Sequence, residues 1–289
     1  MKFCDFEYVS PGSVEEAIGL LAANPGEAKL IAGGQSLLPT MAYRLARPSM
    51  LVDLRHLDSL RGITVGPEGV RLGALTRWRD IEADGRLAAA HPLLQEAVRH
   101  VAHYQIRNRG TVGGSLAHGD PASEFPGVAV CCGATIEVRG EAGSREIPAG
   151  AFHVGPLSTV LADDELILAI RFPPWQPDAR WAFREFSLRD GDFALAGVML
   201  CYRMEEGVMH APRIGVIGAC AQPMRLPGVE ACLDGREPGA RVFQEAARLA
   251  ALEVEPPDDL HADAGYRRAL LGTLTLRALH DAARRAVPA

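Results

Sequence analysis

The chain has 289 residues, a formal net charge of −6 and 48% hydrophobic residues. Its lysine and arginine residues are scattered rather than clustered, which makes nucleic acid and anionic membranes poor partners. No apolar run approaches the roughly 18 residues of a membrane span, and the opening "MKFCDFEYVS" lacks the apolar core of a secretory signal. We therefore expect a cytoplasmic protein with two ordinary domains or one large one.

Residues 1–172 mix short helices and strands. "SVEEAIGLLAANPG" (13–26) has the apolar spacing of a helix, with Ser13 and Glu16 forming a capping box. A helix at "TRWRDIEA" is predicted to be capped by Thr76. The strands predicted here are "AKLIAG" (28–33), "MLVDL", "GITV", "GVRLGAL" and the approach and strand of "AVCCGATIEV" (129–138).

The segment "FPPWQPDARW" (172–181) contains three prolines and is typical of a domain linker. After it, three segments alternate or run apolar like an antiparallel sheet: "RWAFREFSL", "FALAGVMLCYRM" and "PRIGVIGACA". The tail segments "GARVFQEAARLAALEV" and "DAGYRRALLGTLTLRALHDAARRAV" are predicted helices. The pattern indicates an α+β chain with domains at 1–175 and 176–289.

The cysteine and histidine patterns predict no metal site and no iron–sulfur cluster in this chain. The six cysteines, at positions 4, 131, 132, 201, 220 and 232, include no Cys-x-x-Cys pair, although zinc and clusters need thiolates at short, regular spacing. Cys131 and Cys132 are interpreted as small core residues. His100 and His103 lie in a predicted helical stretch at a spacing that a metal could use, but no third ligand is evident.

Two glycine-rich segments are the strongest functional signal: "LIAGGQSLLPTM" (30–41) and "NRGTVGGSLAHGDPASE" (108–124). Glycine permits a positive φ and a close approach of a ligand to the backbone. A strand, a glycine turn and a helix start together aim backbone N–H groups at phosphate oxygens. In the first segment, the residues Gly33–Ser36 can offer successive donors, Ser36 can cap the helix, and Pro39 falls within its first turn.

Other interpretations of these segments remain. Each segment alone is equally consistent with a tight turn. A Rossmann fingerprint, with Asp53 as the ribose-binding acid, is rejected because G-x-G-x-x-G and the repeated βαβ pattern are absent. His118 and Asp120 suggest catalysis, but we favour local turn chemistry, in which Asp120 bonds nearby N–H groups. No catalytic constellation is evident elsewhere, so no catalytic residue is assigned.

Taken together, "AGGQSLLPTM" and "RNRGTVGGSLAHGDPASE" strongly resemble the FAD-binding medium subunit of molybdenum hydroxylases, the carbon monoxide dehydrogenase and xanthine dehydrogenase group. "FEYVSPGSVEEAIGLL" matches the opening of that family, and "ADDELILAIRFP" matches the end of its flavin domain. "FREFSLRDGDFALAGV" and "YRRALLGTLTLRAL" resemble its C-terminal domain. The resemblance implies a two-part, PCMH-type FAD-binding domain followed by a small C-terminal domain with an antiparallel sheet and helices.

The resemblance also implies the residues that bind FAD. Lys29–Leu37 would wrap the pyrophosphate, and Thr111–Ser115 would lie against the phosphates and the ribityl chain, with Ser115 where many relatives have asparagine. Glu124 would reach ribityl or ribose hydroxyls, Ile167 the adenine end, Arg184 the flavin, and Phe193 would stack beside the isoalloxazine. The implied set is Lys29, Leu30, Ile31, Ala32, Gly33, Gly34, Gln35, Ser36, Leu37, Thr111, Val112, Gly113, Gly114, Ser115, Glu124, Ile167, Arg184 and Phe193.

The function implied is that of an FAD-carrying electron-transfer subunit. A small partner subunit would hold two [2Fe–2S] clusters, a large one the molybdopterin cofactor, and the complex would be a dimer of heterotrimers. This chain would pass electron pairs to an external acceptor such as a quinone, NAD or oxygen, the chemistry belonging to the flavin. Two alternatives stay open: a self-contained flavin oxidoreductase of the same fold with its own small substrate, and a flavin-free scaffold protein.

Overall fold

A computed structural model describes residues 3–285 of the chain. Four sheets organise this part, with three, five, four and two strands. The helices formed by residues 3–285 include none that is both long and apolar enough to cross a membrane. The mixture of helices with antiparallel sheets confirms the predicted α+β class.

The first sheet is parallel, in the order β1-β3-β2. Its elements are β1 (Glu7–Val9), α1 (Val14–Ala23), β2 (Ala28–Ile31), α2 (Leu37–Ala42) and β3 (Met50–Asp53). The predicted cap of α1 is half right: the Ser13 hydroxyl accepts a hydrogen bond from the Glu16 N–H at 3.1 Å, but the Glu16 carboxylate accepts from Gly12 instead of Ser13. Helix α1 buries its apolar stripe, including Ala17 and Leu21, in a core with β2 and β3.

The second sheet has the order β4-β5-β10-β6-β7, and all its pairings are antiparallel. The elements of this part are β4 (Ile63–Gly66), β5 (Gly69–Gly73), α3 (Trp78–Ala83), α4 (Leu87–Ala90), α5 (Pro92–Val98), α6 (Tyr104–Arg107), α7 (Val112–His118), α8 (Glu124–Cys132), β6 (Thr135–Gly140), β7 (Gly143–Pro148), β8 (His153–Gly155), β9 (Ser158–Thr159) and β10 (Leu166–Phe172). Strands β8 and β9 form the two-stranded sheet. The largest core fills the space between this second sheet and helices α3–α5, α7 and α8.

Three local predictions in this part are wrong. Residues 129–132 belong to helix α8, which ends at Gly133 with a φ of +66°, and the strand begins only at Thr135. The N-cap of α3 is Arg77, because the Thr76 hydroxyl instead donates to the carbonyl of Gly62 at 2.9 Å. His100 and His103 lie between α5 and α6 rather than on one helix, so the predicted helical spacing is absent.

The third sheet is antiparallel, in the order β11-β12-β13-β14, as the sequence predicts. This part consists of β11 (Arg180–Phe186), β12 (Ala196–Glu205), β13 (Val208–Ile217), β14 (Met224–Arg225), α9 (Pro227–Leu233), α10 (Ala240–Glu253) and α11 (Ala264–Arg284). The helical predictions for the two tail segments are confirmed by α10 and α11, except that residues 286–289 lie outside the described part.

Both faces of the third sheet are covered. One face, with Ala182 and Leu200, packs against α10 and α11 in a C-terminal core. The other face, with Phe183 and Met199, joins the large core around α5 and α8. Gly127 lets α8 approach this face, since a Cβ there would lie 2.8 Å from the Met199 Cε. One apolar core therefore contains residues from both sides of the predicted linker 172–181. The division into two domains at residue 175 stays a proposal.

Candidate functional site

The first glycine loop connects the end of β2 to the start of α2. Gly34 has a φ of +70°, a conformation that glycine adopts without strain. No acceptor among residues 3–285 takes a hydrogen bond from the backbone N–H groups of Gly33–Ser36. Pro39 lies in the first turn of α2 as predicted, but the predicted capping role of Ser36 is wrong, because its side chain makes no capping bond. The loop therefore presents a run of available donors.

The second glycine segment forms the first turn of α7 and has already used its donors. Each of its first three N–H groups donates to an oxygen of this chain at 2.8–3.2 Å: Val112 to the Thr76 carbonyl, Gly113 to the Ala74 carbonyl, and Gly114 to the Thr111 hydroxyl. A Cβ on Gly113 would lie 2.7 Å from the Ala74 Cβ, so this glycine permits close packing. Within Thr111–Ser115, only Gly114 and Ser115 reach the surface.

The two segments meet at Gly33. A Cβ on Gly33 would overlap the carbonyl oxygen of Arg109 and lie 2.8 Å from its carbonyl carbon. Glycine is required here because two backbones touch. A cavity of about 110 Å³ opens at this junction; it is lined by Ala32, Gly33, Arg55, Arg61, Leu75, Arg77, Arg109 and Thr111. The structure thus brings the two predicted segments together around one cavity.

Four arginines line this cavity, and two of them are uncompensated. Arg55 forms an ion pair with the buried Asp53, and Arg61 forms one with Asp58 at 3.2 Å. Arg77 and Arg109 have no carboxylate partner within ion-pair distance among the described residues. Guanidinium groups beside available backbone donors suit a phosphate or pyrophosphate. The residues present therefore fit the pyrophosphate of FAD.

Sequence reasoning missed these arginines. They come from three separate parts of the chain and become neighbours only when β3, β5 and α6 pack together. Arg109 alone stands inside a recognised motif, "NRGTVGG". A scattered basic residue carries no local signal, because its role depends on long-range contacts rather than on spacing.

Glu124, the first residue of α8, is a buried acid with 5% of its surface exposed. Burial raises its pKa to about 8, and the nearby carboxylate of Glu185 contributes to the shift. Glu185 in turn lies 3.2 Å from the Nδ1 of His100, whose pKa is raised by that hydrogen bond. The Glu185 Oε2 is buried without a hydrogen-bond partner in the described structure. Glu124 is therefore neutral near pH 7 when the chain carries no ligand.

The turn interpretation of Asp120 is supported by its contacts. The Asp120 Oδ1 accepts a hydrogen bond from the Ala122 N–H at 2.8 Å, and its carbonyl accepts from Ser123 at 3.1 Å. His118 lies half-buried in the last turn of α7, which ends at Gly119 with a φ of +67°. These residues shape the chain reversal between α7 and α8.

The remaining predicted residues lie in different surroundings. Ile167 is buried in β10, close to the second segment, because Ala74 donates to Leu168 and accepts from Gly113. Arg184 and Glu185 project from opposite faces of β11, and Arg184 pairs with Asp281 of α11 at 2.6 Å. A cavity of about 430 Å³ lies beside them, lined by Glu96, His100, Ala182, Phe183, Arg184, Glu185, Asp281, Arg284 and Arg285. Phe193 is 61% exposed on the hairpin between β11 and β12.

Two family models match the chain. Residues 4–175 match the FAD binding domain in molybdopterin dehydrogenase, and residues 181–282 match the CO dehydrogenase flavoprotein C-terminal domain. The chain thus belongs to a class of FAD-binding oxidoreductase subunits.

Relatives with known names are similar in sequence over nearly the whole chain. The carbon monoxide dehydrogenase medium chain of Hydrogenophaga pseudoflava is 36% identical, with 96% of each chain covered. The nicotine 6-hydroxylase medium subunit of Paenarthrobacter nicotinovorans is 38% identical, covering 99% of this chain and 100% of that protein. A solved structure of the Hydrogenophaga pseudoflava carbon monoxide dehydrogenase matches with a TM-score of 0.96 and 37% identity, covering 99% of this chain and 100% of that one. The chain belongs to the family of FAD-binding medium subunits of molybdenum hydroxylases, as its motifs predict, and its cofactor is FAD.

Proposed function

We propose that this chain binds the pyrophosphate of FAD at the junction of the two glycine segments and serves as the electron-transfer subunit of a molybdenum hydroxylase complex. The observation that carries the proposal is the cavity lined by Gly33, the first residue of the run of available N–H groups, and by the uncompensated Arg77 and Arg109. When bound, FAD supplies reversible uptake of two electrons. The chain contributes binding, orientation and a buried proton-holding group.

Different residues are proposed to contact different parts of FAD. The first segment offers N–H donors to phosphate oxygens, and each such bond to a charged group contributes about 1.5–3 kcal/mol. The second segment positions Thr111 at the cavity, and the N–H groups of Val112, Gly113 and Gly114 hold α7 in place. Glu124 supplies a carboxyl for sugar or ribityl hydroxyls, Ile167 an apolar wall, and Arg184 and Phe193 are proposed to lie near the isoalloxazine.

The proposal places the remaining cofactors in partner subunits. Electrons would come from [2Fe–2S] clusters of a small subunit, next to a large subunit with molybdopterin, in a cytoplasmic dimer of heterotrimers. Support comes from the relatives, which are named as medium chains or subunits. The end of β11 and the hairpin after it offer a contact surface, because Phe186 and Leu188 are exposed there. The acceptor would be a small molecule such as a quinone, NAD or oxygen.

The cofactor site is tested by a pair of matched glycine variants. Gly34 and Gly235 both have a φ of +70°, and a valine at either position is strained. We expect Gly34→Val to bind FAD about 100-fold more weakly, since the strained loop loses one or two charge-assisted hydrogen bonds. Gly235→Val, far from the cavity, should keep its FAD. FAD per folded chain, measured by absorbance, decides: full occupancy in Gly34→Val would sink the proposed pyrophosphate site.

The assembly is tested separately. A tagged chain isolated gently from its source organism should bring with it a small subunit carrying iron and a large subunit carrying molybdenum. Metal analysis of the purified complex and its mass on a sizing column measure both. A yellow, metal-free chain that reduces its FAD with a small organic substrate on its own would instead favour a self-contained flavin oxidoreductase.

A further inference from the structure

Three cysteines from distant parts of the sequence meet behind the third sheet. Cys131 and Cys132 end helix α8, whereas Cys201 lies on β12. Their Sγ atoms all lie within 4.8 Å of one another. Three sulfurs bound to one tetrahedral ion at about 2.3 Å would lie about 3.8 Å apart. The cluster therefore needs shifts of less than about 1 Å to close around a metal.

The cluster has a positive neighbour. Cys131 and Cys132 are buried, and Cys201 is a partly buried residue of β12. Arg213 stands opposite Cys201 in the β12–β13 ladder, next to an irregularity in the register. Its guanidinium donates to the Cys132 carbonyl at 2.8 Å, which holds its charge beside the thiols.

The three thiols change one another's pKa values. Hydrogen bonds from Cys131 and Cys132 hold the pKa of the Cys201 thiol well below its usual range, and the positive charge of Arg213 acts in the same direction. The same contacts and burial raise the pKa of Cys131 and Cys132. A divalent cation bound by all three sulfurs would displace the thiol protons.

We propose that Cys131, Cys132 and Cys201 form a site for a soft divalent cation with a filled d shell, with Zn²⁺ as the physiological occupant. Three thiolates with a divalent ion leave one negative charge, which the guanidinium of Arg213 balances. A monovalent ion such as Cu⁺ would leave a buried net negative charge, which is costly in a dry interior. The fourth position of a tetrahedral zinc remains for a small ligand such as water. The ion would join α8 to β12 and so tie together the two sides of the segment 172–181.

The test uses the full-length, FAD-loaded chain and the matched variants Cys201→Ser and Cys220→Ser. Cys220 is a buried cysteine outside the cluster. After incubation with Zn²⁺ or Cd²⁺ and removal of loose metal with a weak chelator, the wild-type chain should retain a single ion. Cd²⁺ should add thiolate charge-transfer absorption, and Zn²⁺ should protect three of the six cysteines from a thiol reagent.

Comparison of the two variants distinguishes loss of the metal site from a general loss of folding. Cys220→Ser should retain the ion, whereas Cys201→Ser should bind it more than about 100-fold more weakly, since even the loss of a supporting residue around a metal costs about 10–100-fold. Zn²⁺ should also raise the melting temperature of the wild type but not of Cys201→Ser. Equal retention by Cys201→Ser, retention of Cu⁺ in place of Zn²⁺ and Cd²⁺, or a disulfide between Cys132 and Cys201 in the purified chain would each overturn the proposal.

Discussion

The two glycine segments look alike in sequence and differ in what they do. In the first, the N–H groups of Gly33–Ser36 have no acceptor among the described residues, and Gly34 adopts a positive φ. In the second, the N–H groups of Val112, Gly113 and Gly114 all donate to oxygens of the chain itself. A glycine pair before a helix therefore does not always indicate a phosphate-binding loop. One pair leaves donors for a ligand, and the other lets a helix pack closely enough to build the wall of the site.

This difference predicts that a substitution in the second segment has the largest effect, a loss of folding stability. In Gly113→Val, the new side chain would press on Ala74, whose Cβ lies 2.7 Å from the position of the added Cβ. Overpacking of this kind costs about 1–3 kcal/mol or more. We expect a clear fall in the free energy of unfolding, measured by urea titration, with poor recovery of folded protein.

The control for Gly113→Val is Gly19→Val, an exposed helical glycine with no atom within 4 Å of an added Cβ. It introduces the same β-branched residue into a helix without overpacking. A stable, folded Gly113→Val chain that has lost only FAD would reverse the comparison, because the second segment would then act as the first does.

The second-largest effect, on FAD affinity, is expected from replacing the two uncompensated arginines of the cavity. Arg109 lies in the second segment, and Arg77 forms an isolated β-bridge with Thr111 of that segment. Both arginines line the cavity without carboxylate partners in the described structure. Replacing either by glutamine should weaken FAD binding by about 10–100-fold, since one charged hydrogen bond is lost. Fluorescence titration at two salt concentrations measures this, and the salt dependence should also fall. Arg79→Gln, an exposed arginine outside the cavity, should leave the affinity unchanged; equal losses would show a general charge effect.

Sequence patterns predicted what depends on neighbours along the chain. The tail helices α10 and α11, the Ser13 cap and both glycine segments follow from spacing and local chemistry. Helix α8 was mistaken for a strand because all nine of its residues, Glu124–Cys132, are buried. A short helix without a polar face shows no 3.6-residue period, so it cannot be distinguished from a buried strand.

What depends on long-range packing was not predictable. The arginine-lined cavity needs β3, β5 and α6 to converge, and the thiol cluster needs α8 to lie on β12. The same holds for the raised pKa of Glu124, which follows from burial and from Glu185 on β11, whereas its role as a site residue is implied only by family resemblance. Such features are properties of the assembled core rather than of any segment.

A smaller effect, on stability, concerns Glu124, the last residue of the second segment. Its pKa in the folded chain is about 8, against 4.5 for an unperturbed glutamate, so the folded state binds the extra proton between these values. The free energy of unfolding of the FAD-depleted chain should therefore fall as the pH rises from about 5 to 8, by at most about 1.4 kcal/mol per pH unit from this residue. Above pH 8 the contribution should level off.

The variant Glu124→Gln should remove that slope and be more stable than the wild type at pH 8, because no buried carboxylate has to form. Glu68→Gln, at an exposed turn, should keep the wild-type pH dependence. Urea titrations at several pH values compare the three chains. If Glu124→Gln retained the full slope, other groups would account for it, and a neutral Glu124 would be contradicted.

The smallest effect is expected from Phe193, which belongs to neither glycine segment and lies on the hairpin after β11. Its side chain is 61% exposed, so removing it leaves no cavity in the core. If its ring stacks beside the isoalloxazine, Phe193→Ala loses an aromatic contact worth about 0.5–1.5 kcal/mol, and FAD affinity falls about tenfold at most. The absorbance and reduction potential of the bound flavin should shift, which the pyrophosphate variants should not cause in their remaining holoprotein. Leu188→Ala, on the same hairpin and 59% exposed, is the matched control. Equal spectra and potentials in both variants and the wild type would assign Phe193 to a partner interface instead of the flavin.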